Sequence, residues 1–505
     1  MKSSITIFFL AFSVFRMQAQ VTFINLYPDD SITEVQPMTG IVFWHNSGNN
    51  TSDAITLEFS YMLFNEVVSD SGVYNWDPVE EKLNAIAGRN HQAIFRFRYV
   101  YPGYETSVPE YILNREDYHE TIGESEGKTT HFPDWTNEEL KRFTLEFYTR
   151  FAERYDQDPR LAFIQVGFGL WAEYHIYSGP FTLGVTFPSK EFQESFFYHL
   201  DTTFKYIPWS ISIDAADDTY TPFVEKPHLK EIEFGLFDDS FMHQSHSGYN
   251  TSNWNFFDRD RYLISPAGGE FSYYSAYDQQ HVLDLPDGSY GKSYEQYARD
   301  FHISYIMGND QPRYQTMERI KQASMASGYK FKIEHLKTTA DSSVLEILNY
   351  GVAPIYYDAY ITIDGTRSQG SLKGLAPGET KTYSVSAGAE GAEITIECDK
   401  LPAGMQIQFY GTQELPLISS KNIARDLNRL LYPNPARRGS SVRFTGSGAQ
   451  NNIEYSVYDL NGRELFTGKS TGDVAIIDTS GLYSGCYLVK FIDNNEITLN
   501  QLLVL

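Results

Sequence analysis

From about residue 37 to 327 the chain alternates short β-rich apolar runs with longer amphipathic stretches, the pattern of repeated βα units. Eight runs read as strands: residues 40–45, 55–63, 93–99, 161–170, 209–214, 233–237, 262–267 and 302–307. Helices are predicted between them, over 78–87 with Asp77 as cap and Pro78 next, and over 137–155 with Thr136 as cap. Apolar residues recur at helical spacing in the second of these, and 192–204 and 294–301 are further helix candidates. Eight strands with intervening helices in roughly 290 residues match a (β/α)8 TIM barrel, here placed over 20–327. An open doubly wound sheet would need a Gly-rich phosphate turn, and no G-x-G-x-x-G follows the first strand.

After Gly328 the texture changes to short alternating strands, over 329–336, 343–348, 356–363, 381–385, 393–398 and 406–410. Turn clusters such as Asn349-Tyr350-Gly351 and Ala376-Pro377-Gly378 separate them, which predicts a β-sandwich over 328–415 that braces the barrel. A polar linker then leads into a small C-terminal Ig-like β-domain, the two together spanning 416–505.

The chain opens with one lysine, a ten-residue apolar stretch over 5–14 and a polar exit at Arg16-Met17-Gln18-Ala19-Gln20. That run is too short to span a bilayer and reads as a signal peptide over 1–19. No other stretch approaches eighteen apolar residues, so no transmembrane segment is expected in the mature chain. With 65 acidic against 40 basic residues and a net charge of −25, a nucleic-acid partner needing a broad basic face is excluded. The same balance disfavours a polyanionic substrate unless basic residues gather in a cleft. Cys398 and Cys486, the two cysteines, fall in different modules and are expected to be free and buried; their number rules out a Cys-based metal site. Aromatic residues make up 15% of the chain, and flat amphipathic rings suit sugar faces, although most serve the core.

In a barrel of this kind the working residues sit at the C-terminal ends of the strands. The fourth strand leads into Trp171-Ala172-Glu173-Tyr174-His175, and the seventh into Gly268-Gly269-Glu270. Two carboxyl groups across one mouth are what glycoside cleavage with retention requires, one protonated and one ionised, about 5–5.5 Å apart. Arg96 and Arg98 fall on one face by alternation and read either as cations holding a carboxylate ionised or as a buried structural pair. Asp238 and Asp239, ahead of His243 and His246, read either as substitutes for one glutamate, as ligands for sugar hydroxyls, or as a solvated loop. The substrate-binding candidates are Trp44, Arg98, Trp171, His175, Asp238, Asp239, Tyr273 and Asn309. His45, Trp135, Trp209 and Tyr274 are further ring platforms, Asp310 sits beside Asn309, and His302 belongs at the opposite end of the barrel. No metal and no cofactor are expected, and no Gly-x-Ser-x-Gly, His-Glu-x-x-His or phosphate-loop motif occurs.

Three blocks near the end, Tyr432-Pro433-Asn434-Pro435, Val457-Tyr458-Asp459-Leu460-Asn461-Gly462-Arg463 and 481–489, resemble the C-terminal sorting domains of type IX secretion substrates. That resemblance implies a secreted or cell-surface protein, exported through the periplasm with the type IX machinery as partner. The strand-four and strand-seven glutamates resemble those of the clan A glycoside hydrolases. More narrowly, Gly167, Trp171 and Glu173 with Gly268, Gly269 and Glu270 resemble a family of secreted barrel proteins. The clan places Asn before its acid/base, whereas Ala172 stands here. The resemblance implies a retaining glycoside hydrolase with Glu173 as acid/base and Glu270 as nucleophile, most active at mildly acidic to neutral pH. The implied substrate is a β-linked polysaccharide or oligosaccharide, with an algal galactan as the candidate. A non-catalytic surface glycan-binding protein on a TIM-barrel scaffold is the competing reading, and an adhesin or scaffold the third.

Overall fold

The computed structural model describes residues 22–24, 32–244, 248–410, 431, 433–445, 453–459, 463–470, 474–493 and 496–505. The predicted signal peptide and most of the polar linker lie outside these residues. The chain divides into two compact units, Met1–Leu415 and Pro416–Leu505.

In the first unit eight parallel strands close into a barrel. They are β1 (Gly40–Trp44), β2 (Leu57–Leu63), β3 (Gln92–Arg98), β4 (Leu161–Gln165), β5 (Trp209–Ser212), β6 (Gly235–Phe241), β7 (Ala267–Phe271) and β8 (Tyr305–Met307). Helices between them include α1 (Asp77–Ala87), α2 (Glu138–Tyr155), α3 (Lys190–Thr203), α4 (Tyr249–Phe256), α5 (Tyr294–Asp300) and α6 (Met317–Met325). Two predicted caps move by one residue. Trp76, not Asp77, precedes α1. Asn137 rather than Thr136 caps α2, because its Oδ1 accepts from the Glu139 and Leu140 amides at 3.0 and 3.1 Å while Thr136 bonds Asp134.

Two strand boundaries matter for the site. Residues 262–267 were expected as strand seven, but Tyr262 lies in a 3-10 turn and β7 runs Ala267–Phe271. The Arg261 guanidinium fixes that turn by donating to the carbonyls of Phe257, Ile232 and Phe234. Gly268, Gly269 and Glu270 are therefore inside the strand. Likewise β6 extends to Phe241, so Asp238 and Asp239 are strand residues rather than loop residues.

Alternation sorts each strand into an inner and an outer face. Val42, Leu57, Phe59, Ile94, Phe163, Tyr305 and Met307 fill the interior, and the other faces pack on the helices. Gly268 belongs to the inner set, where a Cβ would overlap the Tyr305 ring. That ring stacks on Phe163 with centroids 5.2 Å apart.

The rest of this unit is β-structure. Strands β9 (Phe331–Thr338), β10 (Ser343–Asn349) and β12 (Thr380–Val385) form one antiparallel sheet, with Thr22–Ile24 added beyond β9. Strands β11 (Ala359–Ile363) and β13 (Ile394–Cys398) form the second, and the facing sides share one apolar core. This sandwich closes the lower end of the barrel. Tyr357 donates to the Ala162 carbonyl, Tyr356 donates to the Tyr262 carbonyl at 2.7 Å, and both rings join the barrel-interior cluster. His302 is also there, stacked 3.5 Å from Tyr262 and bonded to the Val352 carbonyl.

The second unit carries β14 (Ser441–Thr445), β15 (Glu454–Tyr458), β16 (Glu464–Lys469), β17 (Val474–Asp478), β18 (Gly485–Asp493) and β19 (Glu496–Val504). Its sheets are β14–β17 and β16–β15–β18–β19, around a core that includes Phe444 stacked on Phe491. Cys398 and Cys486 form no disulfide among the described residues and are half-buried, not fully buried as expected. Among the described residues no helix is long and apolar enough to cross a membrane.

Because Tyr305 occupies the space of a Gly268 side chain, Gly268→Ala should destabilise the first unit by about 1–3 kcal/mol through overpacking. Gly48→Ala, which adds its methyl to open space, is the control and should stay within about 0.5 kcal/mol. Urea midpoints for the two variants check this, and equal midpoints would contradict the packing argument.

Candidate active site

The loop after β4 is folded tightly by its glycines. A Cβ on Gly167 would overlap the Ala172 carbonyl, and one on Gly169 the His175 carbonyl. The bare backbone lets the Phe168 and Gly169 amides donate to the Glu173 carbonyl at 3.2 and 2.7 Å, while Leu170 donates to His175 at 3.0 Å. Trp171 and Ala172 take left-handed backbone conformations, with φ of 54° and 58°, to complete the return. The result is a buried Glu173 at the mouth.

Arg96, two residues from the end of β3, lies fully buried on the inner face. Its fork reaches Asp239 on β6, with Nη2–Oδ1 at 3.1 Å and Nη1–Oδ2 at 3.3 Å. Nε donates to Gln165 at 2.8 Å, Gln165 donates to Tyr305 at 2.9 Å, and Nη1 also donates to the Trp171 carbonyl. The guanidinium carbon sits 4.1 Å from the centroid of the Phe237 ring. Of the two readings of this arginine, the buried ion pair is the one formed, and the pair itself faces the mouth.

Asp239 in turn is hydrogen-bonded to Glu173, whose Oε1 lies 3.8 Å from Arg96 Nη1. Two carboxyl groups in contact need one proton between them. Burial and the neighbouring Asp239 charge hold the Glu173 carboxyl well above the usual range, with Arg96 opposing. Glu270, on the inner face of β7, is half-buried and has no side-chain hydrogen bond or ion pair among the described residues. Burial, then Asp239, raises its carboxyl as well, against Arg96. Tyr61, on the inner face of β2, feels Arg96, Glu270, Asp239 and Glu173 together, which places all four in one electrostatic cluster.

His175 leans on Glu173 from the other side. Nε2 is 3.3 Å from Glu173 Oε2, Nδ1 is 2.8 Å from Asp214 Oδ2, and Ser212 Oγ donates to the same Asp214 oxygen at 2.7 Å. Burial would raise Asp214, but the His175 ring and the two hydrogen bonds outweigh it and keep the carboxyl low. Glu173, His175 and Asp214 bring ligand-type atoms within 4.8 Å of one another, the arrangement among the described residues closest to a metal site. The imidazole uses opposite nitrogens toward the two carboxyls, so one nitrogen cannot serve an ion shared by both. The geometry is that of a His175–Asp214 hydrogen-bonded pair whose Nε2 approaches Glu173 but makes no hydrogen bond among the described residues.

The remaining candidates separate cleanly. Trp44 is half-buried against Phe59 and Tyr61, and its amide donates to Asn309 at 3.2 Å. Asn309 also donates to Asp310 at 3.4 Å. Trp171 stacks on the exposed Tyr177 with centroids 6.0 Å apart. Tyr273 and Tyr274 are 50% and 74% exposed and open to a ligand. Arg98 ends β3 over the Tyr101 ring.

Three expectations are corrected. Asp238 points outward, fully buried, and its carboxylate accepts from Asn250, Trp254 and the Ser240 amide; it anchors α4 and is not offered to substrate. Trp135 and Trp209 are buried in the helix-facing core and are no sugar platforms. Sequence reasoning passed over Tyr61, Gln165 and Asp214. Alternation from Phe59 and Phe163 would have put the first two on the inner face.

Residues 430–505 match the secretion system C-terminal sorting domain family. This marks the chain for type IX secretion, to the cell surface or beyond. None of the curated proteins matches the chain. Among solved structures, a β-galactosidase from the Antarctic haloarchaeon Halorubrum lacusprofundi is similar at 9% identity, over 57% of each chain, with a TM-score of 0.34. A catalytic mutant of a GH42 β-galactosidase from G. stearothermophilus is similar at 10% identity, over 58% of this chain and 57% of that one, with a TM-score of 0.33. A GH5-4 broad specificity endoglucanase from an uncultured bacterium is similar at 11% identity, over 57% of this chain and 85% of that one, with a TM-score of 0.30. The chain thus spans little more than half the length of the two β-galactosidases. The barrel itself rests on the strand pairing described above.

The raised carboxyls carry a stability consequence. The folded state holds protons on Glu173 and Glu270 that the unfolded chain, with ordinary glutamates, has released, so stability falls as pH rises above about 4.5 toward the raised values. Glu270→Gln should therefore raise the unfolding free energy from urea titration at pH 8 by roughly 1 kcal/mol or more, and change it little at pH 4. A midpoint unchanged at both pH values would contradict the assignment of a half-buried carboxyl without a side-chain partner.

Proposed function

We propose that the exported protein is a glycoside hydrolase that cleaves a β-linked polysaccharide or oligosaccharide with retention of configuration. The observation that carries this reading is the arrangement of carboxyl groups around Arg96 at the mouth. Arg96 holds Asp239 through both terminal nitrogens, burial and the neighbouring Asp239 raise the Glu173 carboxyl, and Glu270 lies on the inner face of β7 with no side-chain partner among the described residues. Glu173 is thereby prepared as the acid that protonates the glycosidic oxygen, and later as the base that activates water. Glu270 attacks the anomeric carbon to form the glycosyl-enzyme. Trp171, Tyr273 and Tyr274 offer stacking faces, and Asn309 and His175 offer polar contacts for sugar hydroxyls. An algal galactan remains the candidate substrate.

One observation favours the second reading, a surface glycan-binding protein without turnover: the burial that raises Glu270 opposes the ionised form a nucleophile needs. Activity against a panel of β-linked glycans decides between them. The wild type should release sugars, and Glu173→Ala and Glu270→Ala should each lower kcat by at least about a hundredfold. Azide should restore turnover to one or both alanine variants. Binding without hydrolysis in the wild type would sink the hydrolase reading, and full activity in Glu270→Ala would sink the nucleophile.

The two raised carboxyls also set the pH profile. The rate should climb as Glu270 ionises and fall as Glu173 loses its proton, so both limbs move upward. The optimum is then expected at neutral pH or above, higher than the mildly acidic to neutral range inferred from sequence. A kcat/KM profile peaking near pH 5 would contradict it.

A further inference from the structure

We infer that Arg98 recognises an anionic substituent, a sulfate ester or a uronate carboxylate, on the glycan that enters the barrel mouth; the inference rests on the glycan reading above and names its substrate class. Arg98 is the last residue of β3 and shares the inner face with Arg96, one layer closer to the opening. The two arginines differ in one respect that decides the argument. Arg96 is committed to Asp239, Gln165 and the Trp171 carbonyl. Arg98 has no ion pair and no side-chain hydrogen bond among the described residues, and its Nε is buried without a partner. Glu66, a carboxylate that acts on it through space, is exposed and lies beyond ion-pair distance.

What surrounds Arg98 is aromatic. Its guanidinium carbon lies 4.6 Å from the centroid of Tyr101, 5.7 Å from Tyr104 and 6.0 Å from Tyr61. Tyr104 is 58% exposed, so this cage is open toward solvent. Rings hold a guanidinium by its face and leave the in-plane N–H donors free. Those donors form a fork matched to two oxygens of a carboxylate or an oxyanion. Tyr101, whose ring lies nearest the Arg98 guanidinium, is also acted on by the Glu270 carboxyl, so the cage borders the mouth. A cation left unpaired in a chain with 65 acidic and 40 basic residues also offsets the repulsion a polyanionic substrate meets at a mouth lined by carboxylates.

Calorimetric binding to the full-length protein tests this with four probes. They are a sulfated galactan oligosaccharide, its desulfated form, an oligogalacturonate and its carboxyl-reduced form. The wild type should prefer one charged probe over its neutral partner, and the preferred pair tells sulfate from carboxylate. Arg98→Met, which keeps the stem over the rings, should lower that charged-to-neutral affinity ratio about tenfold or more. Arg98→Lys should recover part of it, because the charge returns without the fork. No charged preference in the wild type, or a ratio that Arg98→Met leaves unmoved, would overturn the inference. Anion-dependent binding without hydrolysis would uphold it while sinking the hydrolase reading, and hydrolysis of neutral glycans with an unmoved ratio would do the reverse.

Discussion

The mouth of the barrel depends on one buried ion pair, the fork of Arg96 on Asp239. Removing two charges from water costs several kcal/mol each, and only good geometry with further hydrogen bonds offsets that. Here Gln165, the Trp171 carbonyl and the Phe237 ring complete the surroundings of the arginine. The arrangement extends downward through Tyr305, whose ring occupies the space above Gly268, and sideways to Glu173, whose carboxyl is raised by burial and by its neighbour Asp239. One charge pair thus links the packing of the barrel interior to the protonation state of the group proposed to act as acid.

Much of this was legible in the chain and some was not. Eight apolar runs, interrupted by helical periodicity, were enough for the barrel, because the pattern repeats on a scale larger than any boundary error. Glu173 and Glu270 were found from their position at strand ends. The Gly167 and Gly169 contacts explain why that position holds: backbone folds back into space that only glycine leaves open. Asp238 was misread because its strand was ended too early. With β6 carried through to Phe241, alternation from Phe237 puts Asp239 inside and Asp238 outside. The partners of Arg96 and Arg98 could not be read at all. Both arginines fall on the same face at the same spacing, and which of them meets a carboxylate is decided by side chains from strands far away in sequence.

The division of labour along the chain is equally physical. The sandwich closes the lower end of the barrel with Tyr356 and Tyr357, leaving the upper end as the open face. The sorting domain is a separate unit with its own apolar core, so its fold makes no demand on the barrel chemistry.

The most direct test of the account is to look for the covalent intermediate. Enzyme quenched during turnover of an oligosaccharide it hydrolyses, digested and analysed by mass spectrometry, should carry a single sugar adduct on the peptide containing Glu270. An adduct on Glu173 or Asp239, or hydrolysis with inverted product and no adduct, would contradict it.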